Sequence, residues 1–167
     1  MSQIYQKDFK DILHEIETDG VRGATLSAAA LIDEFIKTAI RSKLIELSAD
    51  EDKRLFHGQG PISSFSSRIM IGFALGIFGP TTRKDLNVIR DIRNRFAHTL
   101  EDIDFDTPAI ADRIRNLNCI QDQAKDKAPQ HLLREATLRL SMHVLMKAGR
   151  VAEKDRDEVA KMTTLLD

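Results

Sequence analysis

The stretch 81-TTRKDLNVIRDIRNRFAH-98 decides the fold class. On a helical wheel at about 100° per residue with Ile89 at zero, Leu86 falls near 60°, Phe96 near 340° and Ile92 near 300°. Those four side chains make one apolar stripe, so the stretch is a helix with a buried face. Arg93 falls near 40°, inside the stripe. An arginine keeps its proton and carries five donors, so a buried Arg93 needs a carboxylate or an open cleft. The spacing predicts Glu34 as its partner, with Asp33 as second choice. Asn94 falls near 140° and His98 near 180°, at the rim and the C-terminal end. Arg83, Lys84, Arg90, Arg93 and Arg95 stand against only Asp85 and Asp91, so this helix is locally basic. Two uses compete for Arg93 and His98. The first is a buried ion pair that locks two helices. The second is a phosphate site in which Arg grips an anion and His moves a proton.

Working outward, helical spacing recurs and strand alternation does not. A first helix is predicted over 3–17, stopped by Asp19-Gly20, and a long Ala-rich one over 21–47. The latter carries the stripe Ala24, Ala28, Leu31, Ile32, Phe35 and Ala39. Ser48-Ala49-Asp50-Glu51-Asp52 ends that helix or begins a short turn. After the Gly58-Gln59-Gly60-Pro61 loop, Ser63 or Ser64 caps a helix predicted to run to Phe78. It is apolar nearly all round and so should lie at the centre. Gly72 and Gly76 would share one face of it, where another backbone can approach. Core packing is the first reading and a homodimer seam the second. Thr81 or Thr82 should cap the helix ending at His98. Glu101, Asp102, Asp104 and Asp106 form an acidic loop. Thr107-Pro108 and Pro129 open two further helices, the second to about Lys147, and a polar helix over 152–166 closes the chain. The expectation is an all-α, single-domain bundle of six or seven helices spanning 1–167.

Composition agrees and narrows the function. The chain has 167 residues, 42% apolar and 31% charged, with no Trp, one Tyr, 8 Gly and 4 Pro. Few aromatic and turn-forming residues favour helices over a β sandwich. A net charge of −1 gives no overall attraction to nucleic acid or anionic membranes. One cysteine, Cys119, excludes an internal disulfide and a multi-cysteine zinc site. The scattered His14, His57, His131 and His143 lack metal-ligand spacing. No metal or cofactor is expected. Nor is a leader or membrane span, which places the protein in the cytoplasm. No helix-turn-helix, zinc finger or basic arm is evident, so direct sequence-specific DNA binding is not expected.

Several blocks then match one family. Residues 58–69, Phe73-Ala74-Leu75-Gly76, Asp85-Leu86 and 89–98, with Leu31-Ile32-Asp33-Glu34 on the Ala-rich helix, resemble the mannitol operon repressor (MtlR) family. The resemblance spans roughly 22–100. Arg95 departs from it, standing where an acidic residue is common. It implies an all-α, non-enzymatic transcriptional repressor without a DNA-binding domain of its own. Such a protein acts through a protein partner, for which a DNA-binding regulator is one candidate. Glu34, Asp33, Arg90, Arg93, Gly72 and Gly76 would then be structural or interaction residues, and no catalytic residue is expected. Arg93-Asn94 followed by His98 is also similar, more distantly, to the HEPN superfamily of small helical domains. That resemblance implies the alternative, a metal-independent ribonuclease or toxin acting on RNA. There His98 would be the acid–base group, Arg93 would stabilise phosphorane charge and Asn94 would orient the site.

Overall fold

The computed structural model describes residues 9–99, 102–122 and 126–148, and they form seven α-helices. These are α1 (Phe9–Thr18), α2 (Val21–Arg41), α3 (Ala49–Phe56), α4 (Phe65–Ala74), α5 (Pro80–His98), α6 (Pro108–Arg115) and α7 (Pro129–Ala148). A 3-10 turn, Asn118–Ile120, follows α6. No strand occurs among the described residues. The chain is a single all-helical domain. The helix expected over 152–166 and the start of the first one lie outside the described residues.

The centre is the pair α2 and α7, packed along each other, with α1 against both. Both helices bury small or branched side chains that allow close approach: Ala24, Ala28, Ile32, Ile36 and Ile40 on one, Leu133, Ala136, Leu138 and Val144 on the other. The helices α4 and α5 cover the other side of α2, while α6 and the 3-10 turn bridge α5 to α7. Polar side chains fasten the seams. The Gln130 amide donates to the Ile16 and Glu17 carbonyls at the end of α1, 2.9 and 3.0 Å away. Asp85, buried on α5, accepts from the Asn118 and Cys119 backbone N–H groups and the Asn118 amide.

Several boundaries differ from the sequence expectation, each for a local reason. The helix α2 ends at Arg41 instead of Leu47. There the Ser42 hydroxyl donates to the Ala39 and Ala148 carbonyls, and the backbone tightens into turns at Lys43 and Leu44. Ser48 and Glu51 form a reciprocal capping box that starts α3, so the expected turn is a helix. The helix α4 stops at Ala74 instead of Phe78. Gly76 adopts φ 68°, its N–H bonds the Phe73 carbonyl, and the Ile77 N–H reaches back to the Gly72 carbonyl. This is a Schellman ending, for which a left-handed glycine is the favoured residue. The helix is also not central. Its inner face buries Arg68, Ile69 and Gly72, while Met70, Ala74 and Leu75 face solvent. Gly76 therefore does not share a helix face with Gly72. Gly72 instead admits Phe78, whose ring carbons would lie 2.7 and 2.9 Å from an added Cβ. Pro80 takes the first position of α5 with Gly79 as cap, so neither Thr81 nor Thr82 begins that helix.

Candidate functional site

The helix α5 buries Leu86, Ile89, Ile92 and Phe96, as its wheel requires, and Asp85 beside them. Arg93 is only half-buried, and its guanidinium donates to Asn94 Oδ1 at 2.9 Å. The expected pair with Glu34 or Asp33 does not form. Asp33 is held by Arg68 at 2.5 Å and Glu34 faces Lys37 at 3.5 Å. Both carboxylates are thus taken by other cations, Asp33 by Arg68 across the α2–α4 contact and Glu34 by Lys37 one turn along α2, and Arg93 donates to its neighbour Asn94 instead.

Arg68 is the buried arginine of this fold. It sits on the inner face of α4 with 9% of its side chain exposed, against 23% for Asp33. Besides Asp33 it donates to the Ile62 and Phe56 carbonyls, both at 3.0 Å. One guanidinium therefore ties α2, the end of α3 and the loop before α4. Burial raises the Asp33 carboxyl above its ordinary value despite the opposing Arg68 charge. Its Oδ1 and Glu34 Oε1 are buried without a hydrogen bond among the described residues. The sequence held a signal for this role: an arginine in an otherwise apolar helix faces the burial cost applied above to Arg93.

On the outside, α4 and α5 lie side by side. Arg90 donates to Ser66 Oγ at 3.2 Å and pairs with Asp91 at 2.8 Å. The Arg83 guanidinium stacks 4.6 Å above the Phe73 ring. His98 is exposed at the last position of α5. Arg93 and His98 point about 140° apart around the helix, so within one chain they do not converge on one anion. Cys119 is half-buried, and burial together with the Asp85 carboxylate pushes its thiol far above the ordinary range, which makes it inert. No group of three or more His, Cys, Asp or Glu that could hold a metal gathers among the described residues. A cleft of about 540 Å³ opens between the α1–α2 turn and the acidic loop. Its charged groups are Asp19, Asp102, Asp104 and Arg22, and Arg22 is held by the Thr99 carbonyl.

The sequence pattern of the family described as mannitol repressor (MtlR) matches residues 10–153. Among solved structures, a chain of the MtlR–HPr complex from Escherichia coli superposes with a TM-score of 0.66. It is 16% identical, with 81% of this chain and 97% of that one covered. A possible transcriptional regulator, YggD from Shigella flexneri 2a strain 2457T, gives 0.65 at 17% identity, over 83% and 96% of the two chains. No curated protein matches the sequence. At these identities the two structures show a shared helical fold.

Proposed function

Because the chain belongs to the mannitol repressor family, we propose that it acts by contact with another protein, without catalysis and without reading DNA itself. It is a regulator of the mannitol repressor type. The observation that carries the contact mode is surface apolarity: on the outer face of α4, Met70 is 57% exposed and Ala74, one turn on, is exposed beside it. Apolar side chains grouped on one face, rimmed by charge, fit a protein surface better than a phosphate backbone. The Escherichia coli structure contains MtlR with HPr, and a protein of that kind is the first partner to try. We read 1–167 as one such unit working in the cytoplasm. No described helix is long and apolar enough to cross a membrane.

Two assays on the purified chain test this. Calorimetry against HPr should give saturable binding, and the chain alone should leave mannitol-operon DNA unshifted in a gel. A specific shift by the chain alone would overturn the reading. The HEPN-type alternative is tested on the same preparation with RNA. Cleavage that disappears in His98→Ala would establish it.

A further inference from the structure

We propose that the seam between α4 and α5 docks an acidic amphipathic helix of a partner protein, an inference that rests on the protein-contact reading. Two contacts fix the seam. Arg90 bonds Ser66 near the start of α4, and Arg83 covers Phe73 near its end. The helices therefore run antiparallel, in step over about two turns. On α4, Ser66, Met70, Phe73 and Ala74 follow i, i+4, i+7 and i+8 spacing and share one stripe. On α5, Arg83, Asn87 and Arg90 share the facing stripe. The surface is a short apolar strip bordered by guanidinium groups.

Its charge is not neutralised locally. Arg83, Lys84 and Arg95 make no ion pair among the described residues. The acidic residues of α5 do little to offset them. Asp85 is turned inward to Asn118 and Cys119, and Asp91 is held by Arg90. The arginines that tie helices together behave differently, since Arg41, Arg68, Arg134 and Arg139 each face a carboxylate.

This charge selects the occupant. A second copy docked symmetrically would set arginine against arginine across the two-fold axis. A nucleic acid would satisfy the cations but bury nothing on Met70 and Ala74. An acidic amphipathic helix does both. Its apolar anchors at i, i+3, i+4 and i+7 lie on the strip, and its carboxylates meet Arg83 and Lys84. Met70 adds an unbranched side chain that adapts to the anchor it meets. The strip, the length of α4, is about 15 Å and takes two to three helical turns.

The probe is a fluorescent helical peptide with Leu at the anchor spacing and Glu elsewhere, followed by anisotropy on the full chain. Saturable binding is expected that weakens as salt rises. Met70→Asp and Arg83→Glu should each weaken it at least tenfold, while Lys53→Glu on α3 leaves it unchanged. Arg83→Gln, which keeps a stem over Phe73, should give an intermediate loss, and circular dichroism verifies the fold of each variant. The proposal falls if the Lys-for-Glu peptide or a scrambled one binds equally well, if the seam variants bind as wild type does, or if nothing binds. It also falls if RNA or duplex DNA displaces the peptide with the same arginine dependence. Failure of the peptide with HPr still bound removes the seam and leaves the protein-contact reading standing. A DNA shift by the chain alone removes that reading whatever the peptide does.

Discussion

Arg68 and Arg93 face the same physical problem and meet it in opposite ways. Each projects from a helix toward apolar neighbours, and a guanidinium cannot shed its charge. Arg68 stays inside because Asp33 and two backbone carbonyls receive its donors. Arg93 turns to Asn94 and the rim. Asp33→Asn keeps the shape and removes the compensating charge, leaving the Arg68 cation buried. Breaking such a pair costs about 3–5 kcal/mol when burial is complete. With Asp33 partly exposed, the amide still accepting and burial already favouring the neutral side chain, the loss expected in urea unfolding is smaller, about 1 kcal/mol. No change in midpoint would show that Arg68 is held by the carbonyls alone. Gly72→Ala tests the neighbouring packing. The added methyl gains up to about 1 kcal/mol of helix propensity but collides with the Phe78 ring. Overpacking of that kind costs roughly 1–3 kcal/mol. The net expectation is a lower Tm, and a rise would mean that Phe78 moves freely.

At the scale of elements, three helix starts were plainly readable and the chain reversals were not. Thr107-Pro108 and Pro129 announce α6 and α7, and Ser64 starts α4, because each supplies a local reason for a helix to begin. The capping box Ser48-x-x-Glu51 was equally explicit, yet α3 has little apolar periodicity beyond Phe56 and read as a turn. The ends of α2 and α4 were hidden for another reason. Ser42 is fixed by the Ala148 carbonyl far along the chain, and Gly76 looked like a second small residue on a helix face. At the site, α5 and its buried stripe were legible. The identity of the carboxylate partner was not, since Asp33 and Glu34 are adjacent and which cation reaches them depends on tertiary placement. The helix α3 also permits a pH prediction. Arg41 clamps Asp52 at 2.5 and 2.6 Å and holds its carboxyl below the ordinary value. A depressed carboxylate contributes stability that is present above its unfolded value, about 4, and is lost as pH falls through the folded one. Asp33, shifted the other way, contributes most below its unfolded value and loses that contribution as pH rises through its raised one. In urea midpoints taken from pH 6 to pH 2, Asp52→Asn should start lower than wild type and decline less steeply. Parallel curves would show that the clamp does not titrate with folding.

For the whole molecule, the arrangement places the shared core on one side of α2 and the α4–α5 face on the other. The helices α2 and α7 share the core with α1, and two arginines of α7 tie it to its neighbours: Arg139 to Asp122, Glu135 and the Cys119 carbonyl, Arg134 to Glu17. On the other side of α2, α4 and α5 expose cations and apolar side chains together. That division has a thermodynamic consequence. A single core predicts cooperative, two-state unfolding of the domain, so that damage at the centre is felt everywhere. Leu138 is fully buried at the middle of α7. Leu138→Ala removes apolar contact and leaves a cavity, a change that costs about 2–5 kcal/mol. The loss should appear as one displaced transition, with calorimetric and van't Hoff enthalpies still equal. If α4 and α5 formed a separately stable layer, Leu138→Ala would split the transition in two and leave the later one where the wild type melts. A single shifted transition, with peptide binding at the α4–α5 seam intact below it, would show that the regulator keeps its stability and its contact surface on different sides of α2.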